Sequence, residues 1–226
     1  MPKAAHPDQT AAARLPLTRD RVLRTAMSLA DAGGIESLSM RKLGHALGVE
    51  AMSLYNHVAN KEDILEGIVD VVVSEIELPS AAEDWQVAIR RAAISAHDAL
   101  RRHPWACGLM MSPTGVRAAR LRHIDSLLRR LREAGFSAET TYHAYHALDS
   151  HILGYTLWEA GHLAGPPDRP GLDAATVLRE MPVDEYPHFA EHVEAHRAAG
   201  YDEDRAFELG LDLILDGLQR LAPPQP

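Results

Sequence analysis

Residues 39–58 place small and polar side chains where a helix could enter the major groove of DNA. The apolar residues of this segment recur at helical spacing and are expected to face inward: Leu43, Leu47, Val49, Leu54 and Val58. The outward set is then Ala51, Met52, Ser53, Tyr55 and His57. Small side chains at the front can approach base edges, which a bulky or acidic front could not. Arg41 on the preceding helix can reach a guanine or a phosphate.

Histidines are the second set of residues whose side chains could carry chemistry. His188, His192 and His196 fall at positions i, i+4 and i+8, so they line one face of a helix, with Glu191 nearby. This resembles half of a metal site, but one helix rarely closes a tetrahedral site and a solvated polar face is the competing interpretation. The same two alternatives apply to a second group of histidines: His143, His146 and His151. With no serine elbow, phosphate-binding glycine loop or paired carboxylates, a metal-dependent helical enzyme has only these histidines behind it.

The elements that position these residues are helices, because apolar residues follow helical spacing and no alternating β-branched run occurs. Thr18, Ser39 and Asn60 suit the caps that begin three of the N-terminal helices, and a short helix at Ala51–His57 lies between the last two. Glycines at 33–34 and 48 suit the ends of the first two helices. We predict an all-α fold: a three-helix helix-turn-helix head, a connecting helix from Asn60 to about Glu77, and a C-terminal helical bundle.

The bundle follows Pro79, where longer helices are separated by proline and glycine. The predicted helices are Trp85–Arg102, Val116–Ala134, Ala138–Leu163, Pro187–Ala199 and Glu203–Leu221. Four prolines make residues 164–186 the predicted mobile loop. We divide the chain into a flexible tail (1–17), a DNA-binding head (18–65) and a ligand-sensing and dimerisation body (66–222).

Composition and charge fit this division. The chain has 226 residues, 46% hydrophobic and 24% charged, which is ordinary for a globular protein. The net charge of −9 is uneven, with +3 over residues 1–61 and −12 over the remainder, so the N-terminal part is the one expected to meet nucleic acid. The single cysteine, the lack of a secretory signal and the lack of a run long enough to span a membrane predict a cytoplasmic protein.

Several short motifs resemble the TetR/AcrR family of regulators. They are Ser39–Leu43 (SMRKL), Leu47–Val49 (LGV), Ser53–Val58 (SLYNHV) and Asn60–Glu62 (NKE). The spacing from Thr18 to Leu65 matches the family's DNA-binding head. The resemblance to the branch that includes the tetracycline repressor continues through Leu78–Gln86 and Gly210–Leu221.

The resemblance implies a homodimer that reads a palindromic operator in double-stranded DNA and is held together by a four-helix interface from the last long helices. It places base or groove contacts at these residues: Arg41, Ala51, Met52, Ser53 and Tyr55. It places phosphate contacts at His57 and Lys61. Lys61 also fits on its own, because it lies in the first turn of a helix whose N-terminus favours an anion. Ala51 stands where family members often carry glutamine, so the operator is expected to differ.

The resemblance also bears on the effector. Where the tetracycline repressor holds its drug and a magnesium ion, this chain has Ala92, Ala96 and Met110, which argues against tetracycline, and we expect no cofactor. A replacement pocket for another small molecule could be lined by an apolar and aromatic set: Trp105, Met110, Met111, Tyr142, His146, Tyr155 and Trp158. The alternative is that these side chains are simply core.

The sequence thus favours a ligand-responsive repressor, whose effector binds the non-DNA conformation better and lowers operator affinity by a population shift. An activator or a ligand-independent regulator of the same fold is the alternative within this class. The metal-dependent helical enzyme is the alternative from another class.

Overall fold

The computed structural model describes residues 16–112, 117–163, 179, 181–198 and 203–222, and over these residues it contains helices but no strand. The all-α prediction is therefore confirmed. The helices are α1 (Arg19–Gly33), α2 (Met40–Leu47), α3 (Ala51–Leu54), α4 (Lys61–Ser74), α5 (Trp85–Arg102), α6 (Trp105–Met110), α7 (Ala118–Glu133), α8 (Ala138–Leu163), α9 (Pro187–Ala198) and α10 (Glu203–Leu221), with a single 3₁₀ turn at Ile35–Ser37.

The predicted helix caps are confirmed. Each of Thr18, Ser39 and Asn60 accepts a hydrogen bond from the backbone N–H three residues further on, at 3.2, 3.2 and 2.7 Å. Gly34 and Gly48 have φ angles of 72° and 69°, the left-handed region that glycine adopts without strain. These signals fix where α1, α2 and α4 begin and where the first two end.

The boundaries differ from prediction in three places. The short helix α3 ends at Leu54 and continues to His57 as turns, and α4 ends at Ser74 rather than near Glu77. Helix α6 follows Pro104 directly, where the sequence predicts only a break between helices, because proline also suits the start of a helix. The predicted tail and the loop at 164–186 lie largely outside the described residues.

The head has its own hydrophobic core. Its buried members come from α1–α3, the connecting turns and the first half of α4: Val22, Leu23, Ala26, Leu38, Leu43, Leu47, Leu54, Val58, Ile64 and Ile68. Helices α1 and α4 approach closely, since a Cβ atom on Gly67 would lie 2.6 Å from a methyl carbon of Leu23. Fully burying a leucine or valine side chain is worth about 1.5–3 kcal/mol, so this core holds α1 and α4 together.

The body has a second core, to which α4 contributes its other half through Val69, Val72 and Val73. The remaining members come from α5–α8 and α10, together with Ile76 after α4 and Phe136 between α7 and α8. Met27 and Trp105 are partly buried against both cores. Helix α4 therefore connects the head and the body, and any change in its position moves both.

Candidate DNA-binding site and effector region

The turn between α2 and α3 determines how the outward residues are presented. Leu54 and Val58 are buried, so the opposite side of this segment faces solvent. Met52 is 74% exposed and Tyr55 is 46% exposed. Ala51, Ser53 and His57 are partly exposed beside them. The structure brings these five predicted contact residues together on one surface, which we call the front.

Cationic side chains flank the front. Arg41 and Lys42 are exposed on α2, and Lys61 is the first residue of α4. Among the residues that the structure describes, none of these three side chains forms an ion pair. Cations beside such a surface can contact phosphates or base edges while the front faces a groove. The geometry is that of a helix-turn-helix surface suited to a DNA groove.

Two features that hold this surface were missed in the sequence. A Cβ atom on Gly44 would lie 2.9 Å from the Val49 carbonyl oxygen and 3.1 Å from the Ala51 backbone nitrogen, so only glycine allows this tight turn. The sequence signal for this turn is Gly44 itself, because a glycine inside a predicted helix lowers the stability of that helix. The second feature is a bidentate pair in which Arg19 donates to both carboxylate oxygens of Asp63 at 2.7 Å. No sequence pattern marked a pair this far apart.

Asp63, the acid of this pair, accepts hydrogen bonds from several groups, and its pKa is strongly shifted. Its carboxylate also accepts a hydrogen bond from the backbone N–H of Ala59 at 2.9 Å, and another from Arg117. The hydrogen bonds from Arg19 hold the pKa of Asp63 well below its usual range, with help from Ala59 and Arg117 against the opposing effect of burial. The ionised carboxylate therefore ties the start of α1 to the start of α4.

The residues predicted to line an effector pocket are distributed over the body. Ring contacts join Tyr142 to His146 and Tyr155 to Trp158, with centroids 4.4 and 5.5 Å apart. Both pairs lie on α8, but they are separated by about 14 Å along its axis at 1.5 Å per residue. Met110 is buried and Met111 is exposed. The indole N–H of Trp105 donates to Asp31 at 2.7 Å. The assignment of these seven residues to one pocket stays a prediction.

A buried polar group in the body was also missed. The imidazole of His97 is stacked on Phe207 with ring centroids 3.9 Å apart, and His151 stacks on the same phenyl ring at 4.8 Å. Tyr155 meets the edges of the His97 and Phe207 rings. These contacts join α5, α8 and α10. No sequence pattern marks these contacts, because the residues come from three distant segments.

Hydrogen bonds set the state of the His97 ring. The Thr156 hydroxyl donates to the Ile152 carbonyl at 2.8 Å, so Nδ1 of His97 donates to the Thr156 oxygen at 3.0 Å. Nε2 of His97 is buried without a hydrogen-bond partner in the described part of the chain, 3.5 Å from a carboxylate oxygen of Glu159. Burial lowers the pKa of His97 to about 4, assisted by the charge of Arg101. A buried ring with a perturbed pKa is a candidate for ligand contact.

The histidines considered as metal ligands do not assemble in the described residues. His188 and His192 are exposed on α9, and the side chain of His196 lies outside the described set. His143 is exposed and its ring contacts that of Tyr142. Nε2 of His151 instead lies 3.0 Å from the Phe207 carbonyl oxygen. Within the described chain, no three histidine, cysteine, aspartate or glutamate residues are grouped closely enough to hold a metal ion. No described helix has the length and apolarity needed to cross a membrane.

Comparisons with known proteins match both parts of the chain. Residues 22–68 match the profile described as "Bacterial regulatory proteins, tetR family", and residues 78–222 match "Tetracyclin repressor-like, C-terminal domain". The chain is 30% identical to the HTH-type transcriptional repressor DrrR1 of Streptomyces coeruleorubidus over 91% of this chain and 78% of the relative. It is 32% identical to the class D tetracycline repressor protein of Escherichia coli over 68% of this chain and 72% of the relative.

Solved structures agree with these matches. The Streptomyces coelicolor TetR family protein ActR in complex with actinorhodin superposes with a TM-score of 0.75 at 26% identity, covering 93% of this chain and all of ActR. A TetR-type transcriptional regulator of the same organism superposes with a TM-score of 0.76 at 27% identity, covering 92% of this chain. The relatives are transcriptional regulators rather than enzymes. The resemblance inferred from the motifs is confirmed, and the chain belongs to the TetR family of bacterial transcriptional regulators.

Proposed function

We propose that this protein is a ligand-responsive transcriptional repressor that binds a palindromic DNA operator as a homodimer and is released by a small-molecule effector. The observation that carries the proposal is the front, with exposed Met52 and Tyr55 flanked by the unpaired cation of Arg41. DrrR1 is named a transcriptional repressor, which supports repression as the outcome of DNA binding here. A DNA-binding role also fits the cytoplasmic location expected from the sequence.

Base or groove contacts are assigned to Arg41, Ala51, Met52, Ser53 and Tyr55, and phosphate contacts to His57 and Lys61. Ala51 offers only a methyl group, which suits apolar contact with thymine rather than a hydrogen bond. Removing a phosphate contact weakens binding to all sequences, whereas removing a base contact also weakens discrimination. The two classes are therefore separable by experiment.

The homodimer is supported by an uncovered apolar surface on α8 and α10. Exposed leucines recur on α10 at Leu209 and Leu213, 62% and 67% exposed, and Leu157 and Trp158 of α8 are both 39% exposed. The exposed face of α8 also carries small residues that allow a second helix to approach closely: Ala147, Ser150, Gly154 and Gly161. A second copy of the chain would cover this surface, and the resulting interface would contain two helices from each protomer.

The effector is proposed to bind in the body. ActR, a structural relative, was crystallised with actinorhodin, which supports a small organic molecule as the class of ligand. Of the predicted pocket residues, Tyr155 lies beside the buried His97 ring, whose Nε2 has no hydrogen-bond partner in the part of the chain that the structure describes. An effector that binds better to the non-DNA conformation lowers operator affinity only by the ratio of its affinities for the two states.

The test is salt-dependent binding of purified protein to duplex DNA from beside its own gene, with in vitro selection as a second source of sites. Wild type should bind specifically, and Arg41→Ala and Tyr55→Ala should each lose about tenfold or more in affinity. Lys61→Ala should reduce the slope of log affinity against log salt by about 1.8, because the homodimer loses one phosphate contact in each protomer.

Arg122→Ala is the matched control, because Arg122 is exposed on α7, away from the front. It should bind like wild type. Absence of specific binding by wild type to either source of DNA would refute the proposed function.

A further inference from the structure

Asp31 occupies a position that its own helix disfavours. It lies in the last turn of α1, where no basic residue is present, and a negative charge at a helix C-terminus opposes the helix dipole. Its carboxylate turns away from α1 toward the body. One oxygen, Oδ1, lies 2.7 Å from Nδ1 of His103 and accepts a hydrogen bond from the indole N–H of Trp105 at 2.7 Å. A contact between domains offsets the local electrostatic cost.

The body side of this contact is the turn between α5 and α6. Helix α5 ends at Arg102, His103 follows, and Trp105 begins α6. Arg102 donates to Glu75, the residue that follows α4, at 2.7 Å, and Nε2 of His103 lies 3.7 Å from the same carboxylate. Two acids carried by α1 and α4 thus face a turn rich in N–H donors. We call the Asp31, His103 and Trp105 contact the α1–α6 junction.

The head is already a single unit before this junction is made. Arg19 and Asp63 join the start of α1 to the start of α4, and Leu23 packs on Gly67. That unit is attached to the body through α4 itself, through Met27 of α1, and through Arg117, at the start of α7, which donates to Glu66 at 2.8 Å. The α4 and Arg117 attachments both lie along α4, so a tilt of the head about that helix is opposed by the contacts that α1 makes with the body.

The α1–α6 junction is made at the other end of α1. Residues 19 and 31 are twelve positions apart, which corresponds to about 18 Å of helix. Asp63, the partner of Arg19, also accepts a hydrogen bond from Arg117 of the body, so the junction is a second contact with the body at the far end of α1 and opposes a tilt about the first. The Trp105 ring, packed against both cores, adds apolar contact at the same place.

We propose that Asp31 is a positioning residue, and that the α1–α6 junction holds the head at the tilt in which it binds the operator. The inference rests on the proposed DNA-binding function, although none of the three side chains belongs to the front. A head released from the junction samples several tilts. Only the fraction at the correct tilt binds two half-sites at once, and the apparent affinity falls by that fraction.

The first measurement is the distance between head and body by pulsed electron paramagnetic resonance. Spin labels are placed at Ser28→Cys on α1 and Val87→Cys on α5, both exposed, in protein diluted with unlabelled chain. Cys107 is buried, and burial raises its pKa to about 11, so labelling goes to the introduced thiols. Asp31→Ala should broaden the distance distribution. Asp20→Ala, an acid removed from the exposed side of the same helix, should leave it unchanged.

The second measurement is binding to a duplex selected with wild-type protein. Asp31→Ala should lower specific affinity on the order of tenfold, while non-specific affinity matches that of Asp20→Ala. Trp105→Phe, which keeps a ring in the core but removes the N–H donor, should show the same two changes to a smaller extent. It serves as the test if Asp31→Ala does not fold.

An unchanged distance distribution, or a rise in specific affinity, in Asp31→Ala would overturn the proposal. If wild type selects no duplex, the proposed function fails, while the distance measurement still tests the junction.

Discussion

Gly44 and Val49 lie so close that a Cβ atom on Gly44 would meet the Val49 carbonyl oxygen at 2.9 Å. The neighbouring backbone nitrogen of Ala51 would lie at 3.1 Å, so the obstacle is main chain rather than a side chain that could rotate. The absence of a side chain on Gly44 is what allows the turn after α2 to fold back and present the front.

Gly44→Ala should therefore lower the free energy of unfolding of the head by about 1–3 kcal/mol, because the turn must open to admit the methyl group. This loss exceeds the roughly 1 kcal/mol that alanine gains in helix propensity. Denaturant unfolding followed by circular dichroism, together with operator binding, measures both effects. Gly108→Ala is the control, because space around Gly108 in α6 is open, and it should keep or slightly raise stability.

The apolar surface on α8 and α10 gives a prediction about assembly. Leu213→Glu would place a charge in the centre of the proposed interface, in both protomers, so the dimer dissociation constant should rise about 100-fold or more. Sedimentation equilibrium measures this constant. Leu121→Glu, at a leucine that is 56% exposed on α7, should dissociate no more readily than wild type. A dimer that survives Leu213→Glu would place the interface elsewhere.

The head was predictable because its signals are local. Thr18, Ser39 and Asn60 cap the helices that they were expected to cap, and Gly48 takes the left-handed conformation that its position required. The outward placement of Met52 and Tyr55 follows from the burial of Leu54 and Val58 on the opposite side of the segment. Each of these features depends on residues within one turn of one another, which is the range over which sequence spacing carries information.

The body was less predictable because its polar contacts join distant segments. His97, Phe207 and His151 stack across three helices, and Asp31 reaches residues more than seventy positions away. Helical periodicity identifies which face of a helix is apolar, but it does not say which helices become neighbours. The seven proposed effector residues were chosen by type alone, and they are spread over α6, the turn after it and two separate turns of α8.

Tetracycline with magnesium should not bind this protein. Ala92, Ala96 and Met110 are all buried, and none of the three offers an oxygen or nitrogen ligand to magnesium or a hydrogen-bond donor to a drug. We expect no change in Tm when tetracycline and magnesium are added together. A ligand at one hundred times its dissociation constant stabilises the folded state by about 2.7 kcal/mol, so binding would be visible as a shift of several degrees. A magnesium-dependent rise in Tm would contradict the prediction.

Acid should weaken the contact between α1 and α4, because the pKa of Asp63 is held low by Arg19. A carboxyl group whose folded pKa is depressed contributes stability above its unfolded pKa, about 3.9, and loses it as the pH falls toward the folded value. Asp63→Asn should therefore cost roughly 1–3 kcal/mol at pH 7, and the difference from wild type should shrink below about pH 4.

Urea unfolding at a series of pH values measures this difference. Asp20→Asn is the matched control, because Asp20 also pairs with an arginine, Arg24, but on the exposed surface of α1. Water and salt screen an exposed pair of this kind, so removing it should change stability little at any pH in the series. A gap between wild type and Asp63→Asn that stays constant from pH 7 to pH 3 would mean that ionisation of Asp63 does not hold the two helices together.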